Sequence, residues 1–243
     1  MVETTSILYL MPGNVVGGPL GAGEISRRRT LLQACLGTAA RAEVWDLPEG
    51  PLSIESFEDE ARAVPPTIAR VREAEAAGFH SVIIGCFGDT ALDRAGAAVR
   101  IPVVGPAQAS MRHAVTLGAR FSIVTVVQTV VPMIARLVEV YGMRARLASI
   151  RVVDTPVLAL RHDAEENLRR MLVESRTALD KDGANCIVLG CMSMAFQPGV
   201  SALLQEKLGA PVVNPLHAAT AEALVGVDPR SSLLEFSGRS HET

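Results

Sequence analysis

The sequence predicts an α/β fold of two pseudo-symmetric lobes, each built on a parallel sheet of roughly four strands flanked by helices. Two observations predict it. Strand-like apolar runs alternate with helical patterns along the chain, which is typical of parallel sheets built from βαβ units. The second half of the chain also repeats the first, because residues 82–86 read Val-Ile-Ile-Gly-Cys and residues 187–191 read Ile-Val-Leu-Gly-Cys.

The repeat extends beyond these two segments on both sides. A glycine precedes each cysteine by the same distance, Gly78 before Cys86 and Gly183 before Cys191. Downstream, Ile-Pro-Val-Val-Gly-Pro at residues 101–106 matches Ala-Pro-Val-Val-Asn-Pro at residues 210–215. A buried strand therefore ends in a thiol twice, and two such lobes can present two sulfurs to one ligand.

The elements follow in order from the apolar periodicity and the turn residues between apolar runs. Strands are predicted near residues 6–10, 42–47, 80–85, 102–105, 121–126, 147–153, 186–190 and 211–213. Helices are predicted near residues 23–39, 55–77, 89–98, 107–117, 129–141, 163–181, 200–208 and 216–225. Pro65 and Pro66 fall inside the second helix, so we expect that helix to break or kink there.

The repeat also suggests the domain organisation. Residues 1–105 form the N-terminal α/β lobe, residues 106–215 form the second lobe, and a C-terminal helix within residues 216–243 returns to the first lobe. In open α/β sheets, ligands bind beyond the carboxyl ends of the strands. Both Gly-Cys pairs fall at such ends, so the active site is expected in the cleft between the lobes.

Composition excludes several classes of protein. The hydrophobic fraction of 49% is enough for a substantial core, and the net charge of −3 gives no electrostatic case for binding nucleic acid. No apolar run is long enough to span a membrane, and the first residues lack the pattern of a signal peptide. We therefore expect a cytoplasmic protein whose partner is a small molecule.

Metal and cofactor chemistry also find little support in the sequence. The four cysteines and five histidines lack the spacing of a zinc site, so no metal site is predicted. Lys181 and Lys207 are the only lysines, and each precedes a glycine near a predicted helix end, where a cation suits the helix dipole. A Schiff-base lysine for pyridoxal phosphate therefore has no good candidate, and no cofactor is expected.

Cys86 and Cys191 are the candidate catalytic residues. Each ends a strand shortly before a predicted helix, where amide groups and the helix dipole should lower the thiol pKa from its usual value of about 8.5. One cysteine at a strand end is most often a small buried hydrophobe, but a matched pair favours a functional site. Cys35 lies in an apolar helical stretch, and Cys186 stands an odd number of residues before Cys191, so its side chain points to the opposite face of the strand.

Small and polar residues near the strand ends are the candidates for binding a substrate. Glycine lets backbone amides approach a ligand, and hydroxyl or amide side chains add donors. The glycine-rich loop after the first strand completes neither a dinucleotide fingerprint nor a P-loop, and it can equally be a flexible connection. An acid at a helix start can equally be an ordinary N-terminal carboxylate. The predicted substrate-binding residues are Asn14, Gly88, Asp89, Thr90, Thr125, Met192 and Ser193.

The motifs around these residues resemble the aspartate/glutamate/hydantoin racemase superfamily, and most closely its hydantoin and allantoin racemase branch. The resemblance covers nearly the whole chain in order. Its segments are residues 53–57 (Ser-Ile-Glu-Ser-Phe), 59–61 (Asp-Glu-Ala), 78–79 (Gly-Phe), 86–89 (Cys-Phe-Gly-Asp), 101–105 (Ile-Pro-Val-Val-Gly), 120–125 (Arg-Phe-Ser-Ile-Val-Thr), 141–142 (Tyr-Gly), 188–191 (Val-Leu-Gly-Cys) and 194–195 (Met-Ala).

The resemblance implies cofactor-independent racemisation by two bases, in a homo-oligomer. One thiolate removes the proton at the stereogenic carbon and the opposite thiol protonates the other face, and these roles fall on Cys86 and Cys191. The leading hypothesis is a racemase of a 5-substituted hydantoin or a related cyclic ureide such as allantoin.

Two departures from the family pattern bear on the substrate. Relatives usually carry Asn-Pro-Asn and a hydroxyl residue after the first strand, where this chain has Met-Pro-Gly-Asn at residues 11–14. Relatives also favour Ala-Gly after the second cysteine, where this chain has Met192 and Ser193. Both changes should line the pocket.

Other functions remain open at this point. The same superfamily includes maleate-type cis–trans isomerases, in which one cysteine adds to the substrate and the other acts as an acid. Arylmalonate-type decarboxylation fits less well, because that branch has one-cysteine sites. From a different class, a ligand-binding protein with redox-active or inert cysteines is disfavoured by the paired strand-Gly-Cys segments.

Overall fold

The chain folds around two parallel four-stranded sheets with the same strand order. The structure, a computed structural model, describes residues 5–118 and 120–227. The first sheet has the order β2-β1-β3-β4 and the second β6-β5-β7-β8, with every described pair parallel. The strands are β1 (Ser6–Leu10), β2 (Arg41–Trp45), β3 (Ser81–Ile84), β4 (Val103–Val104), β5 (Phe121–Thr125), β6 (Leu147–Val152), β7 (Cys186–Leu189) and β8 (Val212–Val213).

Helices connect consecutive strands and cover the sheets. They are α1 (Gly21–Leu36), α2 (Phe57–Ala76), α3 (Leu92–Gly96), α4 (Pro106–Leu117), α5 (Val131–Val140), α6 (Ala164–Lys181), α7 (Met192–Ala195), α8 (Val200–Leu208) and α9 (Pro215–Val227). The predicted fold class is confirmed. Within the described part of the chain, no helix combines the length and the hydropathy that crossing a bilayer requires.

The four inner strands are buried along their whole length. Every residue of β1, β3, β5 and β7 is buried, which is typical of parallel strands covered on both faces. The edge strands β2 and β6 are only partly buried. The inner strands are therefore rigid supports, and the residues that follow them are held at a fixed edge of each sheet.

Three local expectations need correction. The second helix does not break, because α2 runs through Pro65 and Pro66; the carbonyls that lose a donor belong to residues 61 and 62, which are exposed and can be hydrated. The helix expected at residue 89 begins only at Leu92, since Asp89 and Ala91 take left-handed backbone conformations with φ of 48° and 64°. The short helix α7 directly after Cys191 was not predicted, because one turn leaves no periodic signal.

The last helix packs on the first sheet. Helix α9 contacts β3 and β4, and it also lies against α1 and α4. Residues 228–243, which belong to the expected C-terminal helix, lie outside the described residues. The division into lobes at residues 105 and 215, with that helix joined to the first lobe, stays a prediction.

Candidate active site

The carboxyl ends of the two sheets border one pocket. The empty space of the pocket, mouth included, is about 790 Å³. Several residues that line the pocket lie at the carboxyl ends of the inner strands or directly after them. They are Met11, Gly85 and Cys86 in the first sheet and Thr125, Gly190 and Cys191 in the second. The repeat noticed in the sequence thus places one thiol from each lobe on the wall of the same cavity.

A glycine precedes each thiol because no side chain fits there. A Cβ on Gly85 would lie 2.7 Å from the ring of Tyr9 and 2.8 Å from the carbonyl oxygen of Leu10. A Cβ on Gly190 would lie 2.6 Å from a methyl group of Ile123 and 2.9 Å from Cβ of Thr125. These contacts are far shorter than van der Waals distance, so the motif reflects a close approach between neighbouring strand ends.

Hydrogen bonds fix the backbone at both glycines. The amide of Gly85 donates to the carbonyl of Leu10 at 2.6 Å, and its own carbonyl accepts from the Tyr9 hydroxyl at 3.2 Å. The amide of Gly190 donates to the carbonyl of Val124 at 2.7 Å, and its carbonyl accepts from the Thr125 hydroxyl at 2.9 Å. Each cysteine is therefore attached to a backbone that has little freedom to shift.

The thiol of Cys86 lies in a mostly apolar setting. Burial raises the pKa of Cys86 to about 12, against the Thr90 hydroxyl and the Gly88 amide, which favour the thiolate. The Gly88 amide donates to the Cys86 sulfur at 3.3 Å. The charges of Cys191 and Asp89 add to the rise in the Cys86 pKa.

Cys191 is more deeply buried and has more groups that favour its thiolate. Burial raises the pKa of Cys191, while the amides of Ser193 and Met194, the charge of Arg28 and the Ser193 hydroxyl act in the opposite direction. The expectation that helix N-termini lower both pKa values is therefore wrong. Burial outweighs the amides, because α3 starts six residues after Cys86 and α7 has a single turn.

Four of the predicted substrate-binding residues line the pocket together with the two thiols. They are Gly88, Thr125, Met192 and Ser193. Asn14 is not among the lining residues, since its side chain accepts from the Gly17 amide at 2.8 Å and donates to the Pro48 carbonyl at 3.2 Å. Asn14 thus shapes the glycine-rich loop, and its neighbours in that loop form the wall.

Asp89 binds backbone amides rather than facing the pocket. Its carboxylate accepts from the amides of Ala107 and Gln108, each at 2.9 Å, and from the Tyr141 hydroxyl at 2.8 Å. Burial raises the pKa of Asp89 to about 7, although these three donors oppose it. Asp89 therefore caps α4 and ties the loop after Cys86 to the second half of the chain. Thr90 is likewise outside the lining, with its hydroxyl beside Cys86.

Replacing Asp89 with alanine should destabilise the protein by about 2–4 kcal/mol, because one buried donor and two partly buried donors lose their acceptor. Urea unfolding at constant pH measures the free energy of unfolding. Asp93→Ala is the matched control, since Asp93 is exposed on the next helix. Equal losses in the two variants would contradict the capping role of Asp89.

The sequence reasoning missed a buried ion pair on α1. Arg28 is only 5% exposed and lines the pocket, and Glu24 is 1% exposed. The Arg28 guanidinium donates to Glu24 at 2.7 Å, to the Tyr9 hydroxyl at 3.1 Å and to the Ser193 hydroxyl at 3.0 Å. In the sequence, the ion pair is indicated only by the position of Glu24 four residues before Arg28. That spacing brings two side chains together on one face of a helix, but such pairs usually lie on a solvent-exposed surface.

Most of the remaining wall is apolar, and the exception is Ser53, whose hydroxyl donates to the Glu55 carboxylate at 3.1 Å. Side chains from the loops after β1 and β2 form one part, and side chains around α5 and the 157–159 turn form another. These apolar lining residues are Val15, Leu20, Leu52, Ile54, Val126, Val130, Met133, Ile134, Val157 and Leu158. Such a wall excludes water from a bound ligand and strengthens electrostatic interactions within the site.

Metal ligands are not assembled in the part of the chain that the structure describes. No three histidine, cysteine, aspartate or glutamate side chains come together there in a group that could hold a metal ion. The chemical groups that the pocket does offer are two thiols, hydroxyl and amide donors, and the buried guanidinium of Arg28.

Comparison with known proteins identifies the family. The sequence model described as Asp/Glu/hydantoin racemase matches residues 26–223. A hydantoin racemase from Rhizobium meliloti is 40% identical over 178 residues, which are 72% of this chain and 73% of that protein. A hydantoin racemase from Pseudomonas sp. (strain NS671) is 36% identical over 188 residues, covering 76% and 74%.

A solved structure supports the same relationship. The allantoin racemase from Klebsiella pneumoniae superposes with a TM-score of 0.82 at 28% identity, over 90% of this chain and 86% of that one. The chain therefore belongs to the Asp/Glu/hydantoin racemase family and is an isomerase of the racemase type.

Proposed function

We propose that this racemase inverts C5 of a 5-substituted hydantoin or a related cyclic ureide by moving protons between Cys86 and Cys191, without a cofactor. The observation that carries the proposal is the placement of one thiol from each pseudo-symmetric sheet on the wall of one pocket. Inversion at carbon needs a base on one face and an acid on the other, and two thiols from opposite lobes fit that requirement.

The chemistry of the substrate fits the pocket. The carbonyl next to C5 acidifies the C5 proton, and the enolate that forms needs hydrogen-bond donors in a site without bulk water. Gly88 and Ser193 lie on the pocket wall, one beside each cysteine, and their donors act on the sulfurs. The guanidinium of Arg28 is a charged donor on the same wall. The apolar wall supplies the low dielectric in which such donors act strongly.

The walls also favour a particular substituent at C5. A ureido group, as in allantoin, would leave most of its polar atoms without partners, because valine, leucine and methionine side chains outnumber the Ser53 hydroxyl on these walls, and this costs free energy. An alkyl or arylalkyl substituent gains from the same contact. We therefore expect hydantoins with apolar substituents to be better substrates than allantoin.

A substrate panel in D₂O tests the proposal. Single enantiomers of 5-benzylhydantoin, 5-isobutylhydantoin and allantoin, with aspartate, glutamate and maleate, are followed by NMR for exchange at carbon and by chiral chromatography for inversion, each against an enzyme-free control. Hydantoins should exchange and invert fastest. Conversion of maleate with an adduct on one cysteine would favour the cis–trans isomerase, and binding without turnover would favour a binding protein.

Assembly and location stay expectations. The family resemblance suggests a homo-oligomer, and the sequence suggests a cytoplasmic protein. Light scattering on the purified full chain tests the first expectation.

A further inference from the structure

We propose that Arg28, acting through Ser193, makes Cys191 the more acidic thiol of the pair, so that Arg28 is a positioning residue for the proton-transfer reaction. The inference rests on the proposed two-thiol function. It adds an order to that function, because Cys191 then ionises before Cys86.

The geometry of Ser193 carries the first step. Its hydroxyl oxygen accepts a hydrogen bond from an Arg28 Nη atom at 3.0 Å. That contact uses the oxygen as an acceptor, so the hydroxyl proton is free to be donated elsewhere. Cys191 lies two residues away on the same pocket wall, and the Ser193 hydroxyl acts on it in the direction that lowers its pKa.

The charge around Arg28 carries the second step. Glu24 is the common partner of three arginines, at 2.7 Å from each of Arg27, Arg28 and Arg161. One carboxylate is thus shared among three guanidinium groups, so Glu24 only partly neutralises Arg28, which lines the pocket. A second anion is favourable there, and a Cys191 thiolate is in the position to supply it.

Besides Arg28, the Tyr9 hydroxyl and the Cys86 thiol also interact with Cys191. Neither of them supplies a negative charge that would oppose a Cys191 thiolate. Burial raises the pKa of Tyr9 above its usual range, so Tyr9 stays neutral and donates to the Gly85 carbonyl. A thiolate at Cys191 raises the pKa of Cys86, which keeps the second thiol protonated.

The charges near Cys86 are negative, whereas the charge nearest to Cys191 is the positive charge of Arg28. The charged groups that act on Cys86 most are Cys191 and Asp89, and both disfavour its thiolate. The neutral Gly88 amide donates to its sulfur at 3.3 Å, and the Thr90 hydroxyl lies nearby without a hydrogen bond to any described residue. The pseudo-symmetric fold therefore holds an electrostatically asymmetric pair.

The proton balance follows. The Cys191 thiolate takes the C5 proton of one enantiomer and becomes a thiol, and the Cys86 thiol gives its proton to the opposite face and becomes a thiolate. The product leaves with the same number of protons as the substrate. The enzyme returns to its resting state when one proton moves from Cys191 to Cys86.

The pH dependence of alkylation tests the inference without any substrate. Iodoacetamide labelling of each cysteine is followed by peptide mass spectrometry across pH in the wild type, Arg28→Met, Arg28→Lys, Ser193→Ala and the control Arg27→Met. Arg27 binds the same Glu24 but lies outside the pocket lining. Midpoints are compared, rather than absolute rates, because the two thiols differ in exposure.

The wild-type midpoint of Cys191 should lie below that of Cys86. Arg28→Met should raise the Cys191 midpoint by about one pH unit, which corresponds to about tenfold less Cys191 thiolate at any pH below the midpoint. The same change should lower the Cys86 midpoint. Arg28→Lys should restore most of the shift. Ser193→Ala should show a smaller rise, and Arg27→Met should show the smallest, because Arg27 acts on Cys191 only through the Glu24 that it shares with Arg28. A purely structural role would not move the two midpoints in opposite directions.

Two results would overturn the inference: a Cys191 midpoint at or above that of Cys86, or an unchanged Cys191 midpoint in a folded Arg28→Met. If circular dichroism shows that Arg28→Met is unfolded, an unchanged midpoint in Ser193→Ala overturns it instead. Failure of the proposed function is separate, since it would appear in the substrate panel and leave these midpoints as they are.

Discussion

Replacing either Cys86 or Cys191 with serine should lower the rate of racemisation by about 10³-fold or more. Serine keeps the size and position of the side chain, but its hydroxyl ionises far less readily than a thiol, so one of the two proton transfers fails. Both residues line the pocket, one from each sheet. Inversion of a single enantiomer of a hydantoin, followed by chiral chromatography, measures the loss.

The two variants should retain different halves of the reaction. Each remaining thiol still faces one side of C5, so in D₂O each variant should exchange the proton of one enantiomer with retention of configuration. The preferred enantiomer should be opposite in the two variants. If both variants exchange the same enantiomer, the thiols do not act on opposite faces.

Cys186→Ser and Cys35→Ser are the matched controls. Neither residue lines the pocket, and burial raises the pKa of Cys186 to about 12 and of Cys35 to about 11. Both controls should racemise at the wild-type rate. A large loss in Cys186→Ser without a loss of stability would contradict the assignment of the site to Cys191.

The sequence was sufficient for the parts of the structure that repeat. Parallel strands produce apolar runs, and the twin Gly-Cys segments report a close approach at Gly85 and Gly190 that the structure explains. Strand parity also excluded Cys186 from the pocket, because alternate residues of a strand point to opposite faces. These inferences depend on local geometry, which the sequence determines directly.

The remaining parts of the site depend on long-range packing. The side chain of Asp89 binds amides at residues 107 and 108, and nothing near Asp89 in the sequence shows that α4 begins beside it. Glu24 and Arg28 have the spacing of an ordinary solvated helix pair, and only the packing of α1 against the second lobe buries them. Burial likewise raises the pKa of both cysteines, whereas the argument from helix N-termini predicted that both would be lowered.

The buried position of Glu24 gives the second large effect that we expect. Glu24→Gln should lower the free energy of unfolding by about 3–5 kcal/mol, because it leaves the buried Arg28 without a full counter-charge. It also weakens the contact with Arg161, which joins α1 to the loop before α6. Urea unfolding at neutral pH measures the change.

Helix α6 provides a control with the same spacing. Glu166 pairs with Arg169 and Arg170, three and four residues later, as Glu24 pairs with Arg27 and Arg28. The Glu166 side chain is 34% exposed, against 0% for Glu24, so solvent screens its ion pairs and Glu166→Gln should change the stability little. Equal losses in the two variants would show that the burial of Glu24 does not matter.

The pH dependence of stability separates the charge of Glu24 from its packing. Burial would raise the pKa of Glu24, but the hydrogen bonds and charges of Arg27 and Arg28 outweigh it and hold the pKa at about 2. The unfolded chain binds this proton near pH 4.5, so the stabilisation of about 3 kcal/mol is complete above that pH and disappears as the pH falls towards 2. The unfolding free energies of wild type and Glu24→Gln should therefore converge over this range. A difference that stays constant with pH would mean that Glu24→Gln lowers the stability by changing packing and not by removing a charge. The Glu24 carboxylate would then not be the group that holds Arg28 beside Cys191.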